Sequence, residues 1–290
     1  MNAETGHGLL ETTAGDSSTL KSFLTHFAIA SPTNASDAAR LATLCQVVRA
    51  FSRLPYENLT KIIKFDTCPN PQQARRSPQE ILADHKSFGA GGTCFSLTVL
   101  LLLLVRSLGF RAEPLLADRH YGQDTHSALI VWLGERPHLL DPGYLILEPL
   151  ALDNTDSRRL RTAFNELLLI PQGDGQLQLH TIQGGRETYR LTFKTQPADA
   201  GVFLKAWDAS FGWDMMRYPL LTRVADRRQL YLQGARFQVR TDQGVEREQL
   251  LLEGLPAHLE RTFGVAPELA QRALRILQRK GERLGKTRRT

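Results

Sequence analysis

Gly91-Gly92-Thr93-Cys94-Phe95-Ser96-Leu97 sets a glycine pair and a cysteine directly ahead of an apolar run, Leu97–Val105. At nine residues the run is too short to cross a bilayer, and its composition suits a helix buried in protein. Glycines ahead of a helix let the backbone turn sharply and leave the first N–H groups free. Those groups and the helix dipole favour an anion, so a thiol at that entrance is expected to be more acidic than a free one.

Up to Gly109 the chain reads as helical. Asp16 or Ser17 caps a helix running to about Ala30, with Leu20, Phe23, Leu24 and Phe27 on one face, and Ser31-Pro32 stops it. A leader over 1–17 precedes it. A second helix is expected from Ser36 to Ala50. Pro55-Tyr56-Glu57-Asn58 reads as a turn whose polar side chains tie down backbone groups. Ser77-Pro78-Gln79-Glu80 combines a capping box with proline at the first helical position, so another helix begins there. Gly109 is a natural end for the central helix.

Beyond Gly109 the period changes from helical to alternating. Phe110–Ala117, His126–Leu133, His138–Asp141, Gln176–Ile182 and Arg186–Lys194 read as strands, the last two joined through Gly184-Gly185. Ala198–Met216 is an aromatic-rich helical stretch, and Leu230–Leu232 with Ala235–Arg240 form a hairpin about Gln233-Gly234. Helices Pro256–Phe263 and Pro267–Lys280 close the chain. The expected architecture is α+β: a helical unit over 1–109 carrying the cysteine, an antiparallel sheet or small barrel over 110–197, and a mixed unit over 198–290. No internal repeat or low-complexity linker separates them, so they are expected to pack on one another.

Three cysteines with no CxxC argue against a disulfide framework and against a zinc ribbon. The start, MNAETGHGLLETTAGDSS, lacks the basic and apolar segments of a secretory signal, so a reducing, cytoplasmic setting is expected. The net charge of +6 is concentrated after Arg272, where Arg275, Arg279, Lys280, Arg283, Lys286, Arg288 and Arg289 face one acid, Glu282. That end can attract a phosphate-bearing partner or be a solvated helix that frays; without interleaved aromatics it predicts no nucleic-acid partner. No membrane partner is expected, and the chain is expected to be a monomer or weak homo-oligomer.

Cys45 falls inside the second helix and Cys68 in a loop without titratable neighbours, which leaves Cys94 as the thiol with a chemical setting. His126 starts one strand and Asp141 ends the next; neighbouring antiparallel strands bring those ends together. Cysteine, histidine and aspartate are the parts of an activated sulfur nucleophile, the carboxylate holding the imidazole while the imidazole meets the sulfur. Thr125 and Tyr144, which flank two of these residues, and Phe95, beside the sulfur, are the candidates to line an acyl or acceptor pocket. Ordinary strand packing accounts for Thr125 and Tyr144 equally well.

The chain resembles the arylamine N-acetyltransferases in three places. Leu54-Pro55-Tyr56-Glu57-Asn58-Leu59 is similar to that family's Pro-Phe-Glu-Asn-Leu, and Gly91-Gly92-Thr93-Cys94-Phe95 to its Arg-Gly-Gly-x-Cys-Phe-Glu-x-Asn. His126 with Asp141-Pro142-Gly143-Tyr144 resembles its histidine followed by Asp-x-Gly-Phe. The resemblance implies an N-terminal helical bundle, a central antiparallel β-barrel and a C-terminal α/β lid, a cysteine-protease- or transglutaminase-like arrangement. It implies a triad carried by Cys94, His126 and Asp141, with acetyl-CoA as donor, an aromatic amine or hydrazine as acceptor, and no metal. Ala90, Ser96 and Thr98 stand where the family has arginine, glutamate and asparagine, and Pro142 replaces a small apolar residue. These changes reshape the wall beside the sulfur and keep open an amide synthase, or a transglutaminase-like or cysteine hydrolase, using the same triad.

Overall fold

The structure is a computed structural model that describes residues 10, 16–31, 36–153 and 155–282. The expected leader, apart from Leu10, Asp16 and Ser17, lies outside the described residues, as do Pro32 and the basic residues after Glu282.

Helix α1 (Asp16–His26) is shorter than the expected run to Ala30. The chain leaves it through a left-handed residue, Ala28 at φ 52°, while the Ile29 N–H reaches back to the Leu24 carbonyl, a C-terminal cap usually built on glycine. Helix α2 (Asp37–Phe51) is capped by the Ser36 side chain, which accepts from Ala39 N. The segment expected as a turn holds a short strand, β1 (Tyr56–Glu57), followed by α3 (Leu59–Thr67) and α4 (Pro71–Ala74). The predicted capping box starts α5 (Pro78–Phe88), and Gly89 ends it at φ 63°. Helix α6 (Cys94–Ser107) is buried on all faces from Cys94 to Val105 except at half-buried Leu97. That matches its uniformly apolar composition.

Strands β2 (Ala112–Arg119), β3 (Gly122–Leu133), β4 (Arg136–Asp141), β5 (Ile146–Ala151), β6 (Arg158–Arg161), β7 (Glu166–Gly173), β8 (Gln176–Gln183) and β9 (Arg186–Lys194) follow. They form an antiparallel sheet in the order β5-β4-β3-β2-β9-β8-β7-β6, curled as a half-barrel. Gly184 and Gly185, at φ 57° and 76°, make the expected tight turn between Gln183 and Arg186. The central strands are buried on both faces. Leu116, Leu129 and Val131 pack on the helices, while Leu115, Ala117, Ala128 and Ile130 fill the half-barrel. Side-chain alternation along a strand makes this division automatic.

The remainder is α7 (Ala200–Ala209), β10 (Leu220–Ala225), β11 (Arg228–Gln233), β12 (Arg236–Arg240), β13 (Val245–Gln249), α8 (Leu255–Phe263) and α9 (Pro267–Arg279). The second sheet runs β1-β10-β11-β12-β13, so a strand from before residue 60 edges a sheet from after residue 219. Asn58 fastens the two. Its Nδ2 donates to the Met215 and Tyr218 carbonyls and its Oδ1 accepts from Leu220 N at 2.9 Å. Helix α3 likewise packs with α8, α9 and β10–β12, through Leu59, Ile62 and Ile63. Among the described residues no helix is long and apolar enough to cross a membrane.

On the other side of α3, Lys61 is 4% exposed. Its Nζ donates to the Ser210 carbonyl at 2.9 Å and lies 4.3 Å from the centre of the Phe211 ring. Among the described residues no carboxylate lies within ion-pair distance of it; its acceptors are at the C-terminal end of α7, where the helix dipole favours a cation. Burial still dominates and pulls the ammonium pKa down to about 7. In the unfolded chain the group holds its proton up to about pH 10.4. Between those values the unfolded state binds more protons than the folded one, so this lysine makes stability rise with pH, by at most about 1.4 kcal/mol per unit. Lys61→Met is therefore expected to raise the melting temperature at pH 6 and to flatten its dependence between about pH 7 and 10, measured by thermal unfolding. An unchanged pH slope would show that the ammonium is not desolvated in the fold.

Candidate active site

Two backbone segments set the position of Cys94. The Leu54-Pro55 segment lies directly against Gly91: a Cβ there would fall 1.9 Å from the Pro55 carbonyl oxygen, so only glycine fits. Glu57 N donates to the Gly92 carbonyl at 3.0 Å, and Gly92 N to Pro55 O at 3.4 Å. Glu57 is fully buried and acts locally, accepting from Thr60 N and Thr60 Oγ1 at the start of α3. The guanidinium beside it comes from Arg76, which donates to Thr60 Oγ1 at 2.7 Å and to the Gly91 carbonyl at 2.6 Å. Arg76 thus places a cation next to the glycine pair although position 90 is alanine.

Cys94 is the first residue of α6, and Thr93 makes no side-chain cap there. His126 sits on β3 and Asp141 at the end of β4. The Leu129–Leu140 register, continued, sets Asp141 opposite Ala128, two residues along β3 from His126 and on the same face. His126 Nε2 and Asp141 Oδ2 are 2.6 Å apart, and Asp141 Oδ1 accepts from Tyr144 N at 3.3 Å, which fixes the carboxylate in a 3₁₀ turn. Gly143 in that turn is confined by the same carboxylate: a Cβ would lie 3.0 Å from Asp141 Oδ1. With Nε2 engaged, Nδ1 is the ring nitrogen left for the thiol, and Cys94 and His126 bear on each other's ionisation.

All three are buried: Cys94 is 8% exposed, His126 5% and Asp141 3%. Burial opposes ionisation of the Cys94 thiol. The His126 hydrogen bond and charge, with Arg119 and Lys61, outweigh it and bring the thiol below its ordinary value. Burial also opposes the imidazolium of His126, but Asp141 and the Cys94 hydrogen bond prevail and raise it. The structure therefore joins a thiol made more acidic to an imidazole made more basic, an arrangement that activates a sulfur nucleophile.

The sulfur opens on a mainly apolar cavity of about 90 Å³. One wall is a single face of α6, Cys94, Leu97, Thr98 and Leu101 at helical spacing; the opposite wall is Ser127, Leu129 and Leu140. Thr98 and Ser127 hydroxyls meet at 2.9 Å within it. Tyr56 also lines the cavity, as do Thr222 to Val224 of β10.

The three candidate pocket residues are placed differently. Phe95 is fully buried on another side of α6, its ring 5.4 Å from Phe203 and 6.0 Å from Trp213, and is not among the cavity walls. Thr125 is buried, with Oγ1 donating to the Gly122 carbonyl at 3.1 Å. Tyr144 stands edge-on to His126, ring centres 5.4 Å apart. Neither Thr125 nor Tyr144 lines the cavity. Leu97 and Leu101 were not singled out from the sequence, although their helical spacing from Cys94 puts them on its face. Arg119 and Lys61 carry no comparable local signal.

A family model described as N-acetyltransferase matches residues 40–272. No curated protein matches the sequence. Among solved structures, the arylamine N-acetyltransferase of Mycobacterium abscessus superposes with a TM-score of 0.73 at 17% identity, covering 92% of this chain and 99% of that one. The Mycobacterium marinum arylamine N-acetyltransferase in complex with CoA gives 0.71 at 17% identity, covering 90% and 98%. The Bacillus cereus arylamine N-acetyltransferase with a Cys-His-Glu catalytic triad gives 0.66 at 15%, covering 86% and 98%. These likenesses show a shared fold, and the family match extends over most of the chain. The chain belongs to the arylamine N-acetyltransferase family and is an acyltransferase.

Proposed function

We propose that this enzyme moves an acetyl group from acetyl-CoA to an aromatic amine or hydrazine in two half-reactions through an acyl-Cys94. The observation that carries the reading is the 2.6 Å contact of Asp141 with the imidazole that also serves the Cys94 thiol. In the first half, the Cys94 thiolate attacks the thioester carbonyl; a bond forms between sulfur and the acyl carbon, the carbon–sulfur bond to CoA breaks, and His126 gives its proton to the departing thiolate. The N–H groups at the start of α6, left free by Thr93, are suited to hold the oxyanion. In the second half, a neutral aryl amine attacks the acyl carbon, its proton passes to His126, and the Cys94 thiolate is released.

A group of arginines suits a phosphate-bearing donor. Burial, with the charges of Arg190 and Arg247 nearby, lowers the hold of Arg240 on its proton. Arg190 is held by Thr181 and Arg240 by Gln229 and Gln238, all neutral partners. Guanidinium groups without carboxylates are natural phosphate ligands. The small inner cavity matches an acyl group and part of a ring.

Cys94→Ala is expected to abolish CoA release while leaving the melting curve cooperative. Intact-protein and peptide mass spectrometry after acetyl-CoA treatment should place one acetyl group on Cys94; acetylation at Cys45 or Cys68 would contradict the assignment. Asp141→Asn is expected to lower the turnover rate by roughly two to four orders of magnitude through the wrong imidazole tautomer. A rate within twofold of wild type would remove the carboxylate from the mechanism. CoA release that proceeds equally without an amine would identify a hydrolase instead.

A further inference from the structure

Arg119 is the charged side chain nearest His126 that the two half-reactions leave without a role. It ends β2, just past a bulge between Ala117 and Arg119, where the β2–β3 hairpin closes on Gly122. Bulges at a sheet rim re-aim side chains. One of its nitrogens lies 3.3 Å from His126 Nδ1; another donates to Tyr121 Oη at 2.8 Å and to the Thr125 carbonyl at 3.4 Å. The nearby acids are engaged elsewhere: Asp118 and Asp124 with Lys194, Asp141 with His126. Among the described residues Arg119 therefore has no carboxylate within ion-pair distance. The groups whose charge bears on it are the phenols of Tyr144 and Tyr121, then the Cys94 sulfur and the Tyr56 phenol, and of these the thiol is the more acidic kind.

An arginine N–H can only donate, so the Nδ1 facing Arg119 is an acceptor. In the state in which Nδ1 accepts from Arg119 the imidazole is neutral, with its proton on Nε2 toward Asp141. Two further groups bear on the pair: Tyr144 edge-on to the ring, and Lys61 of α3, whose charge reaches Cys94. When the sulfur carries an acyl group its negative charge is gone, and Arg119 then acts on the ring against Asp141 without that charge between them.

We propose that Arg119 is a positioning residue for both halves of the reaction: its guanidinium counters the Cys94 thiolate before acylation, and afterwards it keeps His126 neutral to receive the acceptor's proton. This rests on acyl transfer through Cys94. At 3.3 Å the contact with Nδ1 is long for a hydrogen bond, so it yields to an incoming amine without a large penalty.

The test compares wild type with Arg119→Gln and Arg119→Lys in two measurements. The first is the pH dependence of Cys94 alkylation by iodoacetamide, without acyl donor. The second is the pH dependence of single-turnover acyl transfer from isolated acetyl-enzyme to an aryl amine. Removing the charge in Arg119→Gln is expected to move the alkylation midpoint, and the lower limb of the transfer profile, each up by about one pH unit. Arg119→Lys, which keeps the charge, is expected to hold both near wild type. Unshifted limbs in Arg119→Gln, or equal shifts in both variants, overturn the proposal. If Arg119→Gln does not melt cooperatively, Arg119→Lys decides alone, a one-unit shift of either limb being the contrary result. A wild-type protein that forms no acetyl-enzyme ends the acyl-transfer reading and the base role with it; the alkylation limb still decides the thiolate role.

Discussion

The close approach of the Pro55 carbonyl to Gly91 is the constraint on which the site depends. It is a backbone-to-backbone contact with no space for a side chain, and it fixes where α6 begins. Strand β1 continues from Pro55 into the second sheet, so the same contact ties the entrance of the central helix to β10. Asn58 and Arg76 then hold the two sides of the junction, one through main-chain groups near β10, the other through Thr60 and Gly91. Cys94 therefore emerges at a point set by three segments far apart in the chain, facing strands that carry His126 and Asp141.

Around that point the charges form a small, desolvated set. Asp141 fixes one nitrogen of His126, Arg119 faces the other, and Lys61 adds a second cation whose charge reaches the sulfur. Each is costly to bury alone, and the set is tolerated because the partners are close and hydrogen-bonded. The consequence is chemical as well as structural. A carboxylate on one side of the imidazole and a guanidinium on the other give the ring two opposed influences, so the charge on sulfur decides which prevails.

Local signals in the sequence were enough for several elements. The capping box at Ser77, the double glycine between β8 and β9, and the change of period after Gly109 each rest on short-range physics, and the structure has them. The convergence of Cys94, His126 and Asp141 was legible for a related reason: a helix entrance and two ends of adjacent antiparallel strands leave few arrangements. What escaped depends on distant partners. Tyr56 and Glu57 look like a turn until β10, more than 160 residues on, supplies the neighbour that makes them a strand. Lys61 carries no local sign of burial, and only the packing of α3 against Ser210 and Phe211 reveals it. Phe95 follows the cysteine directly and so points about a quarter turn away from it, into the aromatic core. Leu97 and Leu101, at helical spacing, share its face.

The central claim is that the fold makes Cys94 more acidic than a free thiol. The direct measurement is the ultraviolet absorbance of thiolate titrated with pH, taken as the difference between wild type and Cys94→Ala. The account predicts a difference titration centred clearly below the value of about 8.5 for a free thiol, and its loss from the wild-type profile when His126 is replaced by alanine. A difference titration at or above the free-thiol value would contradict it.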